Sequence, residues 1–299
     1  MTQQYTTVDH LMVNLINEIE IDGDFAGDRT GVGTKRIFGW TGKLFAGSDL
    51  LVPTIKPVNI RAVLAEFWCF TNGITNVDEL KAHGCNWWEA NLQDANKRWG
   101  TPNNRDLGPV YGAQWVKRYQ VGARENYNGD LLPVYTDQLT QLIKTIKENP
   151  TDRRMYVTAW NPEDFAAMAL PPCYHGFQVF VNNGRLDIMW HMRSCDVILG
   201  LPHDILFHQF LMMALAAECG LSVGWMTLTL GDTHLYQNAR QAASQLVKNA
   251  RSDEAFNMRI PEINMRSIKG FRDVHPDRIM YLFEGEYIHF PRIKVDMAV

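Results

Sequence analysis

The sequence predicts an α+β protein in which helices and strands are intermingled along a chain of 299 residues. Segments with apolar residues at helical spacing alternate with segments of strand-like alternation, and no internal repeat or linker-like stretch divides the chain. Hydrophobic residues make up 46% of the sequence and charged residues 21%. Such a composition builds a packed core and excludes a disordered protein. We therefore expect one domain over residues 1–299.

Charge and cysteine usage exclude several classes of protein. The formal net charge is −4, which gives no general attraction to nucleic acid or anionic membranes, so phosphate recognition must be local. The five cysteines form no CxxC pair, so neither a disulfide framework nor a thiolate metal site is indicated. The start of the chain shows no signal segment, and no apolar run reaches about 18 residues. We expect a cytoplasmic protein with no membrane partner.

Four helices are predicted from apolar periodicity. The first lies near the N-terminus, the second covers residues 60–71 with Glu66 as its only acid, and the third runs from Thr136 to a stop before Pro150. Residues 205–219 are apolar almost all round, which indicates a buried central helix that ends at Gly220. The first helix is indicated by the spacing of Val8, Leu11, Met12, Leu15, Ile16 and Ile19.

Strands are predicted around these helices. Residues 27–40 read as a loop that enters strands, and residues 155–160 and 225–230 read as strands. Residues 177–181 and 185–192 flank Asn183-Gly184, a pair that favours the type I′ turn of a hairpin. Residues 80–107 are polar and rich in Asn and Trp, and they receive no assignment.

Cys173 is a candidate nucleophile because it follows two prolines that fix the backbone and remove two amide donors. The alternative is a buried structural cysteine, the commoner role of an isolated Cys. A reactive thiolate needs cationic neighbours, and the sequence offers Arg153, Arg154 and Arg193.

Two further segments carry polar groups that suit nucleotide binding. In residues 192–204, Arg193 and Ser194 could hold a phosphate, and a turn at residues 200–202 places Asp204 before the buried helix. The alternative for Arg193 is a salt bridge with Asp196. In residues 231–236, a histidine and a tyrosine stand at a strand end, where a lone histidine is more often structural than a ligand.

These segments together resemble the thymidylate synthase family from about residue 7 to the last residue. The resemblance implies a mixed sheet with packed helices and a homodimer formed through the sheet, in which the partner lends two arginines to each site. The matching landmarks stand in the family's order: DRTGVGT (28–34), Lys56, Glu66, WWEAN (87–91), DLGPVYGAQW (106–115), DRR (152–154), MALPPC (168–173), RSCDVILGLP (193–202), GDTHLY (231–236) and MAV (297–299).

The resemblance also implies a mechanism. Cys173 matches the nucleophile that attacks C6 of a pyrimidine nucleotide, which makes C5 able to accept a one-carbon unit from 5,10-methylenetetrahydrofolate without a metal. Tyr111 matches a tyrosine beside the base, and Glu66 matches the acid that organises water and proton transfers.

Binding residues follow by the same correspondence. Positions that bind the nucleotide are Arg29, Arg193 and Ser194 for the phosphate, His234 and Tyr236 for the ribose, and Arg153 and Arg154 from the partner. Positions of the folate site are Lys56, Trp88, Asn91, Leu170 and Asp196, and the C-terminal Val299 matches the end that closes over the bound substrates and excludes water.

Asp204 departs from the synthase pattern, in which an asparagine amide pairs with O4 and N3–H of uracil. A carboxyl group that accepts from N4 and shares a proton with N3 matches cytosine instead. This change resembles the phage deoxycytidylate-modifying branch of the family, typified by deoxycytidylate hydroxymethylase, which also has a methionine at the position of Met192. Burial favours a protonated Asp204, although a helix N-terminus favours the ionised form.

Tyr174 is a second departure, because it replaces the usual histidine after the nucleophile. We expect His175 to take over the role of that histidine.

Several functions remain open at this stage. The leading hypothesis is C5 methylation of dCMP, with hydroxymethylation as the next. Trp88, Asn91 and the intact C-terminus resemble the water-excluding arrangement of a methylating enzyme. The alternatives are a thymidylate synthase for dUMP that tolerates Asp204, and a catalytically idle nucleotide-binding relative. A Cys-His hydrolase is also considered, but Cys173 has no oxyanion motif beside it.

Overall fold

The structure, a computed structural model, describes residues 2–28, 30–264, 268, 270 and 274–296. Its main helices are α1 (Val8–Asp22), α2 (Ile60–Thr71), α3 (Val77–His83), α4 (Glu89–Trp99), α5 (Gly112–Val116), α6 (Gln138–Glu148), α7 (Leu201–Cys219), α8 (Arg240–Ala250) and α9 (Pro276–Ile279). The strands are β1 (Gln3–Tyr5), β2 (Asp24–Ala26), β3 (Thr34–Phe45), β4 (Tyr119–Glu125), β5 (Leu131–Thr136), β6 (Tyr156–Thr158), β7 (Tyr174–Asn182), β8 (Arg185–Asp196), β9 (Ser222–Tyr236), β10 (Glu262–Ile263) and β11 (Phe283–Glu284).

A mixed sheet forms the centre of the molecule, with the order β1-β3-β9-β8-β7-β6 and β2 paired to β3. Strands β8 and β9 are parallel, whereas β3–β9, β7–β8 and β6–β7 are antiparallel. The parallel pair is connected through α7, as parallel strands require a crossover. The predicted α+β class with a mixed sheet and packed helices is confirmed.

Helix α7 is almost wholly buried, as its continuous apolar sequence predicts. It begins at Leu201, four residues before the predicted start, with Pro202 in its first turn. Proline is compatible with the first turn because the amide it lacks has no partner within the helix. The prediction that residues 200–202 form a turn ahead of the helix was therefore wrong, and Asp204 lies inside the first turn.

The other predicted helices are confirmed. Helix α2 has the predicted bounds, is capped by Asn59, and buries Glu66. Helix α1 is capped by Thr7, whose hydroxyl accepts from the His10 amide, and α6 ends before Pro150. The predicted hairpin is also present, with positive φ angles of 51° at Asn183 and 72° at Gly184.

One hairpin was not predicted. Strands β4 and β5 pair with each other apart from the main sheet, and almost all their residues are exposed. Because neither face is buried, the sequence carries no alternation of apolar and polar residues that would reveal the strands. The unassigned stretch at residues 80–107 contains the end of α3 and the whole of α4.

The sheet face opposite α7 is only partly covered. Along β8 and β9 buried residues alternate with half-buried ones, and Trp190 stacks on His208 of α7 while the adjacent His191 faces the other way. That second face holds a cavity of about 260 Å³ whose lining includes His175, His191 and Thr229. Among the described residues, no helix is long and apolar enough to span a membrane.

Candidate active site

Cys173 lies directly before β7 and is held by the neighbouring strand β8. The Arg193 guanidinium donates to the carbonyl oxygens of Pro171 at 2.7 Å and Pro172 at 2.9 Å. The Arg193 amide donates to the Cys173 carbonyl at 2.9 Å. The predicted alternative, a salt bridge between Arg193 and Asp196, is not formed: the guanidinium bonds the two proline carbonyls, and Oδ1 of Asp196 accepts from the amides of Ile198 and Leu199. These bonds use Nε and Nη2, so Nη1 remains for a ligand.

Tyr111 contacts the nucleophile from the opposite side. Its hydroxyl accepts a hydrogen bond from the Cys173 amide at 3.0 Å, and its ring stacks on Phe70 with 5.4 Å between centroids. Burial raises the pKa of the Cys173 thiol, while the charge of Arg193 and a hydrogen bond from Tyr111 lower it. Burial also raises the pKa of Tyr111 well above its ordinary value, so the phenol keeps the proton that it donates.

Glu66 is buried within α2 between two indoles. Its Oε1 atom accepts hydrogen bonds from Nε1 of Trp87 at 2.7 Å and Nε1 of Trp88 at 2.5 Å. Burial raises the pKa of Glu66 to about 7, although both hydrogen bonds favour the ionised form. A carboxyl group with such a pKa can donate and accept a proton near neutral pH.

Asp204 presents a carboxyl group that no described residue hydrogen-bonds. Burial raises its pKa well above the ordinary value, and the charges of Glu66 and Asp196 add to this rise. Its backbone carbonyl is hydrogen-bonded to Nδ1 of His208 at 2.7 Å. Burial therefore favours the protonated acid, whereas the place of Asp204 in the first turn of α7, where the helix dipole favours a charge, favours the ionised form.

Tyr174 and His175 point to opposite faces of the sheet, as neighbours in a strand do. The Tyr174 ring packs 4.4 Å from Tyr111 and 4.9 Å from His208, measured between centroids. The His175 ring lies beside His191, in the cavity of the second face. The expectation that His175 replaces the missing histidine was therefore wrong.

A polar edge forms where the parallel strands β8 and β9 end. Ser194 stands opposite Asp232, and Asp196 stands opposite His234. Nδ1 of His234 bonds Oδ1 of Asp232 at 3.0 Å, and the ring of Tyr236 lies 5.0 Å from that of His234. The structure thus brings the predicted ribose and phosphate positions of these strands together.

The predicted folate positions surround the same region. Lys56 is buried, which lowers its pKa to about 8, and the charge of Asp196 attracts it. The Trp88 ring lies 5.6 Å from that of Tyr111. Asn91 lies near the start of α4, and Leu170 directly precedes Pro171. The structure thus places an indole beside Tyr111 and an ammonium group within the influence of Asp196.

Arg153 and Arg154 are not brought to Cys173 of the same chain. Strand β6 begins just after them and pairs Tyr156 with Gln178 of β7. At about 3.3 Å per residue, Arg154 lies roughly 20 Å along the sheet from Cys173. The Arg154 side chain is 93% exposed and contacts only Asp152 among the described residues. Arg29 and Val299 lie outside the described residues.

Trp87 is the member of the site that sequence reasoning missed. The segment WWEAN was noticed, but only its second tryptophan was assigned a role. The paired tryptophans around a single buried acid were the available signal, because a buried carboxylate needs donors. Among the described residues, no group of three or more His, Cys, Asp or Glu side chains could hold a metal.

Comparison with known families agrees with this site. Residues 10–299 match the family model described as thymidylate synthase. The class is thus that of folate-dependent transferases, which add a one-carbon unit from methylenetetrahydrofolate to C5 of a pyrimidine nucleotide. The chain belongs to the thymidylate synthase family.

Proposed function

We propose that this enzyme transfers a one-carbon unit to C5 of dCMP. The observation that carries the proposal is the Asp204 carboxyl, which lacks a hydrogen-bond partner among the described residues and has a pKa raised by burial. The acid O–H can donate to N3 of cytosine while the carbonyl oxygen accepts from the N4 amino group. N3 and the N4 amino group of cytosine then both have a hydrogen-bond partner.

Uracil is a poorer partner for the same group during the reaction. As the thiolate adds to C6, negative charge moves onto the ring, and N3 of cytosine can take the proton of Asp204. The N–H groups at N3 and N4 of the base then both donate to the ionised carboxylate of Asp204. The carbonyl O4 of uracil is far less basic than a ring nitrogen, so it takes up the proton less readily. A protonated Asp204 can still turn toward uracil, which keeps thymidylate synthase activity on dUMP as the second candidate.

Within this proposal, each residue beside Cys173 has a chemical task. The Cys173 thiolate forms the bond to C6, with Arg193 and Tyr111 favouring the thiolate. Glu66 moves protons, since its pKa of about 7 suits both directions of transfer. The folate supplies the one-carbon unit.

The binding roles implied by the resemblance are proposed on the same basis. Ser194, Arg193 and Arg29 hold the phosphate, and His234 with Tyr236 holds the ribose. Lys56, Trp88, Asn91, Leu170 and Asp196 bind the folate, over which Val299 closes. The nearness of Asp196 to His234 and of Trp88 to Tyr111 supports two adjoining ligands.

We also propose a homodimer in which Arg153 and Arg154 serve the partner's phosphate. Their distance from Cys173 of the same chain, and the exposure of Arg154, support action in trans. The partly covered sheet face opposite α7 is the surface proposed to join the two copies.

Methylation is proposed over hydroxymethylation because Trp88, Asn91 and the C-terminal segment resemble the water-excluding arrangement of a methylating enzyme, and the indoles of Trp87 and Trp88 occupy Oε1 of Glu66. The test is incubation of the enzyme with methylenetetrahydrofolate and either dCMP or dUMP, followed by product mass and dihydrofolate absorbance. A methylated product formed in step with dihydrofolate is expected, because the folate then supplies hydride. A hydroxymethylated product without dihydrofolate would overturn the methyl assignment, and turnover of dUMP alone would overturn the choice of dCMP.

A further inference from the structure

Glu66 is hydrogen-bonded asymmetrically. Two donors, the indole N–H groups of Trp87 and Trp88, converge on Oε1 at 2.7 and 2.5 Å. No described residue donates to Oε2. The two tryptophans are consecutive, lie just ahead of α4, and meet an acid from the middle of α2.

This asymmetry fixes the position of the acidic proton. A carboxyl oxygen has two lone pairs in the carboxyl plane, and an indole N–H can only donate. With both lone pairs of Oε1 occupied, the protonated form of Glu66 must carry its hydrogen on Oε2. One indole alone would leave a lone pair of Oε1 open, and the proton could reside on either oxygen.

We infer that Trp87 is a positioning residue which, together with Trp88, confines the proton of Glu66 to Oε2, the oxygen to which no described residue donates. The inference rests on the proposed one-carbon transfer at C5, but not on the identity of the base. Glu66 gives its proton from Oε2 and regains one within each cycle, so no net charge accumulates on the enzyme. A proton held on Oε1 would be blocked by the indoles.

The surroundings of Trp87 agree with a fixed orientation. Its ring packs edge-on against His203 with centroids 5.2 Å apart, directly beside Asp204 in sequence. The titratable groups that face Glu66 are Asp204 of α7, Tyr174 of β7, Cys69 of α2 and Cys85. Burial raises the pKa of each of these four. Because cysteine and tyrosine ordinarily titrate above neutral pH, only the titration of Asp204 must be distinguished from that of Glu66.

The test uses Trp87→Phe, which keeps an aromatic ring at this position and removes the N–H that donates to Glu66. We expect the maximal kcat to fall tenfold or more, because general acid–base catalysis supplies about 10²–10⁴-fold and depends on placement. The nucleotide KM should change far less than kcat. Losing one hydrogen bond to the carboxylate should also move the alkaline limb of the kcat profile upward by about one pH unit.

The pH profile of kcat is measured again with Trp87→Phe in an Asp204→Asn background, which removes the other acid whose pKa is raised by burial. In each background the assay uses whichever of dCMP and dUMP that background converts faster, so neither a wrong choice of base nor a change of base preference in Asp204→Asn affects the comparison. Trp99→Phe is the matched control, since its indole donates to the Ala166 carbonyl at 2.9 Å and has no bond to Glu66. Its profile should match that of the parent.

Infrared titration reads the acid without turnover. The carboxyl C=O band of Glu66, identified by subtraction of Glu66→Gln, should titrate at higher pH in Trp87→Phe than in the parent. An unchanged band midpoint in a folded Trp87→Phe variant would overturn the inference, as would an unchanged kcat. A parent enzyme that converts neither nucleotide would defeat the proposed function, while the infrared shift would still decide the role of Trp87.

Discussion

Cys173 depends on its neighbours for both position and ionisation. Arg193 ties down the two prolines before it, and Tyr111 bonds its amide and its thiol. The two prolines thus have two effects. Their rings restrict the backbone, and their carbonyl oxygens orient the guanidinium that favours the thiolate. This arrangement was not visible in the sequence, where Arg193 and Asp196 looked like natural partners.

Replacing Cys173 by Ala should abolish turnover and also the exchange of tritium from C5 of the nucleotide. Both processes require the covalent bond to C6. Nucleotide binding, measured by calorimetry, should survive, because Arg193 and Ser194 remain. Exchange that persists in the alanine variant would remove Cys173 from the mechanism.

Replacing Tyr111 by Phe should raise the pKa of the Cys173 thiol. The phenol hydrogen bond lowers that pKa, and a hydrogen bond to a charged group is worth roughly 1.5–3 kcal/mol, or about one to two pH units. Alkylation of Cys173 by iodoacetamide, followed by mass spectrometry over a pH series, measures the shift. A midpoint at the same or a lower pH than in the parent would contradict the assigned hydrogen bond.

At the level of secondary-structure elements, the turn that precedes α5 determines where the Tyr111 side chain lies. Tyr111 has a φ of 40°, which is uncommon for a residue other than glycine, and it follows a tight turn at Gly108 with a φ of 76°. A Cβ atom at Gly108 would lie 1.8 Å from the carbonyl oxygen of Ala167, whereas a Cβ atom at Gly184 would meet nothing within 4 Å. The two glycines share a positive φ but differ in the contacts that a Cβ atom would make.

Gly108→Ala should therefore destabilise the protein far more than Gly184→Ala. The Gly184 variant bears only the strain of a positive φ, about 1 kcal/mol in the free energy of unfolding. The Gly108 variant must also displace Ala167, so it should lose activity through Tyr111. Urea unfolding and kcat of both variants provide the comparison. Equal effects of the two substitutions would contradict the proposed packing of the turn.

Local signals account for what the sequence predicted. The bounds of α2 follow from an apolar run after a capping asparagine, and the hairpin of β7 and β8 follows from Asn183-Gly184. The start of α7 was misplaced because Leu201-Pro202 suits a turn and a first helical turn equally well. The position of Trp87 depends on α2 and the segment before α4 meeting in space, which no local pattern reports.

In the proposed assembly of the whole molecule, two chains share each nucleotide site. Arg153 and Arg154 directly precede β6, whose register with β7 places them at the far end of β7 from Cys173. Their role was predicted from family resemblance alone, since two exposed arginines after a helix otherwise read as a solvated cluster.

Mixing two inactive variants tests the proposed assembly. A Cys173→Ala chain paired with an Arg153→Ala, Arg154→Ala chain should form one working site, because the first chain supplies both arginines to the second chain's cysteine. About half of the mixed dimers' sites cannot react, so activity up to roughly half of the parent value per dimer is the upper bound. Verified heterodimers without activity would indicate that the arginines act within their own chain.

The base preference of the parent enzyme and of Asp204→Asn tests the proposed choice of dCMP most directly. The ratio of kcat/KM for dCMP over dUMP, measured with methylenetetrahydrofolate, should favour dCMP in the parent. In the variant the amide matches O4 and N3–H of uracil and leaves one mismatch against cytosine, worth roughly 1–3 kcal/mol or about tenfold to a hundredfold. We predict that the ratio falls by at least that factor and favours dUMP. A parent enzyme that prefers dUMP, or a variant with an unchanged ratio, would show that Asp204 does not read the base.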